Sequence, residues 1–227
     1  MEPAIAEEYV ESLRRLVIGE PEWLATKTVF EYSEQSIRVV VILKLVRAVH
    51  ALNAMDLLCE KGLFIDFGAI VRCFYEVIFE VYFLLESHQD PSENAKKFVA
   101  EFFSRDIDGY LTSEQSAIPT KKILAGASRY ISSSGEAREV YKALELQKRV
   151  YKTFSGYIHA SYSHVMEVYG PKGIYASFNC SGVPSDEQKR MRREHIAEGV
   201  RSCLIATSLA AYEFGQKDLY VQIKSER

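Results

Sequence analysis

The segment from Phe64 to Leu85 is apolar on nearly every side, and this constrains the whole fold. A helix without a polar face belongs at the centre of a bundle, wrapped by partners that shield it from water. Within it, Arg72, Glu76 and Glu80 recur at every fourth residue. That spacing stacks side chains on one helical stripe. A polar stripe in such surroundings must reach water or find partners inside. Tyr151, Ser155 and His159 recur in the same way in a later segment, VYKTFSGYIHASYSHVMEVY. The two rows are expected to turn toward a shared interior organised by Arg72, Glu76, Glu80, Ser155 and His159.

Helical periodicity dominates the rest. Residues 3–18 read as an amphipathic helix ended by Gly19 and Pro21. Ser33 to Lys61 reads as a long helix stopped by Gly62, with Ile37, Val41, Leu45, Ala48, Leu52, Met55 and Leu58 facing inward. Asp90-Pro91-Ser92 opens a further helix running toward Tyr110, and a short one is expected over Lys121 to Tyr130. Glu136 to Tyr169 reads as one long helix weakened at Gly156. Gly170 to Ser185 is rich in Gly and Pro around IYASFNCS, which predicts a loop or small hairpin over the ends of neighbouring helices. Ser185 caps a last helix through Phe214, and the tail 215–227 is expected to be loosely held. With no repeat or linker in view, the expected fold is a single all-α domain over residues 1–227. It is a bundle of six or seven helices with an N-terminal helix in 1–20.

A net charge of -3 argues against a surface dominated by contacts to nucleic-acid backbone. The densest basic run, Lys189 to His195, is diluted by Asp186, Glu187, Glu194 and Glu198 and reads as a solvated helical face. The N-terminus is acidic and amphipathic, without the apolar stretch of a secretory leader. The longest aliphatic run, Val39 to Leu43, falls far short of the roughly 20 residues a spanning helix needs. Cys59, Cys73, Cys180 and Cys203 show no paired spacing and read as reduced thiols. A cytoplasmic protein without membrane contact is expected.

Ser155 one turn before His159 has the residue types of a nucleophile and its base. No acid follows at the next turn and no G-x-S-x-G elbow exists, which argues against a serine hydrolase. His164-x-x-Glu167 is the reverse of the di-iron motif and unrepeated, zinc spacing is absent, and no phosphate-cradling glycine loop occurs. Neither a metal nor a cofactor is expected.

The stretch from Ala51 to Glu86 combines an A-x-x-L-L helix, a Lys-Gly break and the pattern Ala69-x-x-Arg72-x-x-x-Glu76. Together with Tyr151, Ser155 and His159, it resembles a family of uncharacterised bacterial all-helical domains that is distantly similar to HEPN domains. HEPN ribonucleases carry Arg-x(4–6)-His on a late helix and act on RNA as dimers. Here Lys152 stands where the arginine before His159 would be, while Arg190 and His195 satisfy the spacing literally. The resemblance implies a homodimer with a protein partner or RNA.

Three functions are therefore expected, in order. The first is a non-catalytic HEPN-like binding or accessory module in a bacterial defence or stress system. The second is a metal-independent ribonuclease with His159 or His195 as acid–base and Lys152 or Arg190 holding phosphate. The third is a small-ligand binder with the segment 170–185 as lid.

Overall fold

The computed structural model describes residues 2–26, 28–104, 118–135, 140–172 and 174–227. Its helices are α1 (Pro3–Val17), α2 (Ile37–Lys61), α3 (Phe64–Glu86), α4 (Glu93–Phe103), α5 (Thr120–Ser133), α6 (Val140–Ile158), α7 (Tyr162–Met166), α8 (Asp186–Glu213) and α9 (Lys217–Glu226). Two separate antiparallel hairpins complete it, β1 (Glu22–Leu24) with β2 (Val29–Glu31), and β3 (Tyr169–Lys172) with β4 (Tyr175–Phe178). The all-α bundle is as expected. The helices beyond seven are the five-residue α7 and the terminal α9.

Helix α3 occupies the centre, against α2, α5, α6 and α8. Its Phe74 and Ile78 meet Leu45 and Leu52 of α2 and Leu204 of α8 in one core, all essentially without solvent contact. Burying each such side chain contributes about 1.5–3 kcal/mol. The ends follow local chemistry. Ser36, Ser92 and Ser185 each accept a hydrogen bond from the backbone N–H three residues on, capping α2, α4 and α8. Gly62 (φ 69°) closes α2 in a Schellman arrangement, with Leu63 N donating to Leu58 O and Gly62 N to Cys59 O. The loop after β4 lies on this turn, where Val183 N donates to Gly62 O.

Four expectations change. The segment 22–31, unassigned from sequence, forms the first hairpin, with Trp23 and Phe30 edge to face at 4.9 Å. Helix α2 begins at Ile37 behind its Ser36 cap, not at Ser33. The expected 136–169 helix is two, α6 and α7; Gly156 lies inside α6, and the break comes at Ala160 in the left-handed region (φ 48°). Residues 217–226 are no loose tail: α9 packs on α8 and buries Leu219 and Ile223. The continuation of α4 toward Tyr110 lies outside the described residues. Among the described residues, no helix is long and apolar enough to cross a membrane.

Candidate functional site

The two polar rows meet in part. Arg72, only 6% exposed, extends from α3 onto α6. Its guanidinium lies 3.5 Å from the centroid of the Tyr151 ring, and its Nε donates to Ser155 Oγ at 3.3 Å. Glu76, one turn on, forms an ion pair with Arg72. The nearest guanidinium nitrogen, Nη1, is buried without a directed hydrogen bond. The contact is thus charge against charge, supplemented by the ring face. Ser155 in turn donates to Tyr151 O at 2.7 Å. Its one proton is spent on its own helix, as serines in helices commonly arrange.

Glu80 leaves this group. It pairs with Lys44 of α2 at 2.6 Å, and Lys44 also lies over the rings of Phe98 and Phe102. A cavity of about 210 Å³ opens beside the row, with Glu76, Glu80, Glu101 and Tyr151 in its wall. Among the described residues, no group of three or more acids, histidines or cysteines is arranged to hold a metal ion.

His159 does not join the interior; it is exposed. The reason is local. Ser161 N donates to Gly156 O and Ala160 N to Tyr157 O, a Schellman ending that makes His159 the last half-helical residue of α6. The i, i+8 projection assumes a helix that persists, and this one ends first. Backbone His159 N donates to Ser155 O at 3.1 Å, but the Ser155 hydroxyl bonds to Arg72 and Tyr151 O and not to the imidazole. Lys152 and Arg190 are exposed. His195 sets its ring edge against Phe154 at 5.8 Å, and burial there together with Arg192 pushes its imidazole pKa below the ordinary value.

A second polar cluster went unread in the sequence. Tyr157 donates to Glu167 at 2.8 Å, Arg192 of α8 donates to the same carboxylate at 2.5 Å, and Arg192 also lies over the ring of Phe64. Burial first, then the bond to Glu167, pushes the Tyr157 phenol well above its usual pKa. Beside it, His164 Nδ1 is 2.5 Å from Ser161 Oγ, and the His164 ring meets the Tyr157 ring edge on at 4.1 Å. No single helix carries this set in register; the sequence shows only His164-x-x-Glu167, whose two residues the structure uses for separate contacts and not for a metal.

Fold and site together define an all-α bundle whose central helix is tied to a later one by a buried arginine. The chain belongs to a family of unknown function (DUF5677), whose model matches residues 38–172, more than half of the sequence. That span runs from the first turn of α2 through β3 and contains Arg72, Glu76, Tyr151 and Ser155. No curated protein and no solved structure matches the chain.

Proposed function

We propose that this chain is a non-catalytic, HEPN-like binding or accessory module that works as a homodimer. The observation that carries the proposal is how the polar row is used. Arg72 is committed to Tyr151, Ser155 and Glu76, Ser155 spends its proton on Tyr151 O, and Glu80 holds Lys44. A nucleophile or base needs a partner in hydrogen-bond reach and an open approach, and these groups are engaged with one another, within α3 and α6 and across to α2. Apolar groups face outward elsewhere, as at Tyr162, which is 81% exposed. The defence or stress setting rests on the HEPN resemblance alone.

The test is incubation of end-labelled single-stranded RNA with the full chain in chelator, alongside His159→Ala and His195→Ala. The expected result is intact RNA in all three, with the same partners retained on affinity capture. Metal-independent cleavage that either histidine change abolishes would overturn the proposal in favour of a ribonuclease.

A further inference from the structure

The β3–β4 hairpin has one open edge and one blocked edge. Its register pairs Tyr169 with Phe178, Gly170 with Ser177, Pro171 with Ala176 and Lys172 with Tyr175. Just before it, Asn179 N donates to Val168 O at 2.8 Å, which makes 168 and 179 a hydrogen-bonded pair. Antiparallel pairs alternate, so 170–177 and 172–175 exchange the hairpin's internal bonds. The backbone groups of Tyr169, Pro171, Ala176 and Phe178 therefore point outward. On β3 that outward row contains Pro171, which has no N–H to offer and blunts the edge. On β4 the outward N–H and C=O groups of Ala176 and Phe178 are intact, and no described backbone group outside the hairpin bonds to them.

The side chains tell the same story. Tyr169, Pro171, Ala176 and Phe178 share one face, all are exposed, and Tyr169 and Phe178 stack edge to face at 5.0 Å. At the tip, Ile174 is 88% exposed and Tyr175 is 75% exposed. A lone two-stranded sheet is marginal in water, and an apolar face beside an unpaired edge is a template for a further strand.

We propose that the β4 edge is the self-association surface, taking β4 of a second copy in antiparallel pairing about a two-fold axis at Ser177. The proposal deepens, and rests on, the reading of the chain as a homodimeric module. In that register Ala176 faces Phe178 of the other copy, so both outward residues of each strand are hydrogen-bonded. The result is a four-stranded sheet ordered β3-β4-β4-β3, with its two apolar faces merged. A segment of this kind suits a second copy because it is its own complement under two-fold rotation. Electrostatics do not oppose it. From Val168 to Ser185 the sequence has no acid, and its one cation, Lys172, lies on β3, the outer strand of the combined sheet.

The experiment is light scattering and sedimentation equilibrium on the full chain, with far-UV circular dichroism as the folding control. Wild type is expected to dimerise. Ala176→Pro, which removes one outward N–H and none of the hairpin's own bonds, is expected to weaken dimerisation at least tenfold, and Ala176→Ser is expected to leave it intact. Ser177→Cys in a Cys180→Ser background is expected to oxidise to a covalent dimer, since residues facing across the axis stand close enough for a disulfide; this variant decides the matter if Ala176→Pro fails to fold. A dimer unaffected by Ala176→Pro, with no disulfide formed by the Ser177→Cys variant, overturns the surface while leaving the homodimer standing. A monomeric wild type overturns both, and if Ala176→Pro then loses capture of a foreign strand, the occupant is another protein. RNA cleavage that depends on His159 or His195 overturns only the non-catalytic reading.

Discussion

The guanidinium of Arg72 on α3 sits 3.5 Å from the ring centroid of Tyr151 on α6, and this contact joins the central helix to the one that carries the second polar row. A cation over an aromatic face contributes about 0.5–2 kcal/mol, more as water is excluded, and Arg72 is nearly fully enclosed. Arg72→Ala is expected to lower stability by about 2–3 kcal/mol, through lost stem packing as well as lost charge. In a double-mutant cycle with Tyr151→Leu, urea unfolding should give a coupling of about 1–2 kcal/mol. Strictly additive losses would show that the two side chains are neighbours only.

Gly68 sits one turn before Arg72 and faces Tyr157, whose ring occupies the space a Cβ would take. In an exposed helix, Gly→Ala adds about 1 kcal/mol of stability. Here Gly68→Ala should instead destabilise by about 1–3 kcal/mol, because α6 must be pushed away from α3. The sign should reverse when Tyr157→Ala removes the ring. Thermal unfolding of the two single variants and the double variant measures this directly.

Glu11 of α1 accepts hydrogen bonds from Arg14 and Arg15, and the Arg14 bond above all holds its pKa at about 2. A carboxylate whose folded pKa is depressed adds stability above its unfolded value and loses it as pH falls through the folded one. Wild type should therefore exceed Glu11→Gln in stability at neutral pH, with the gap closing between about pH 4.5 and about pH 2. Equal pH profiles for the two proteins would show that the pairing carries no stability.

The thiols should separate by environment. Cys180 is exposed, while Cys59 and Cys203 are buried, and burial pushes the Cys203 thiol up to about 12. Only the thiolate reacts. With a disulfide reagent at pH 8, native protein should show one fast thiol, lost in Cys180→Ser, and Cys203 should react only at the rate of unfolding. Rapid modification of Cys203 would mean that α8 opens locally.

Much of the architecture was legible because it depends on short-range rules. The apolar run 64–85 announced a central helix, Gly62 and Ser185 announced their caps, and every-fourth-residue spacing brought Arg72, Glu76, Tyr151 and Ser155 to one contact. The same rule misplaced His159, since it presumes an unbroken helix and Ala160 turns left-handed first. The tail 215–227 departs from expectation for a different reason. Its sequence is polar overall, and only the docking of Leu219 and Ile223 against α8 makes α9 stable.

What the sequence determined by itself was the class of fold and which residues had to be inside, because burial of a periodic apolar stripe is a property of each segment alone. Which polar groups pair was decided by tertiary structure. Arg72 with Tyr151, Lys44 with Glu80, and Tyr157 with Glu167 and Arg192 join residues from different helices or from beyond a helix end. Such partners are fixed by how the elements cross and where each one stops, and both emerge only when the whole core packs.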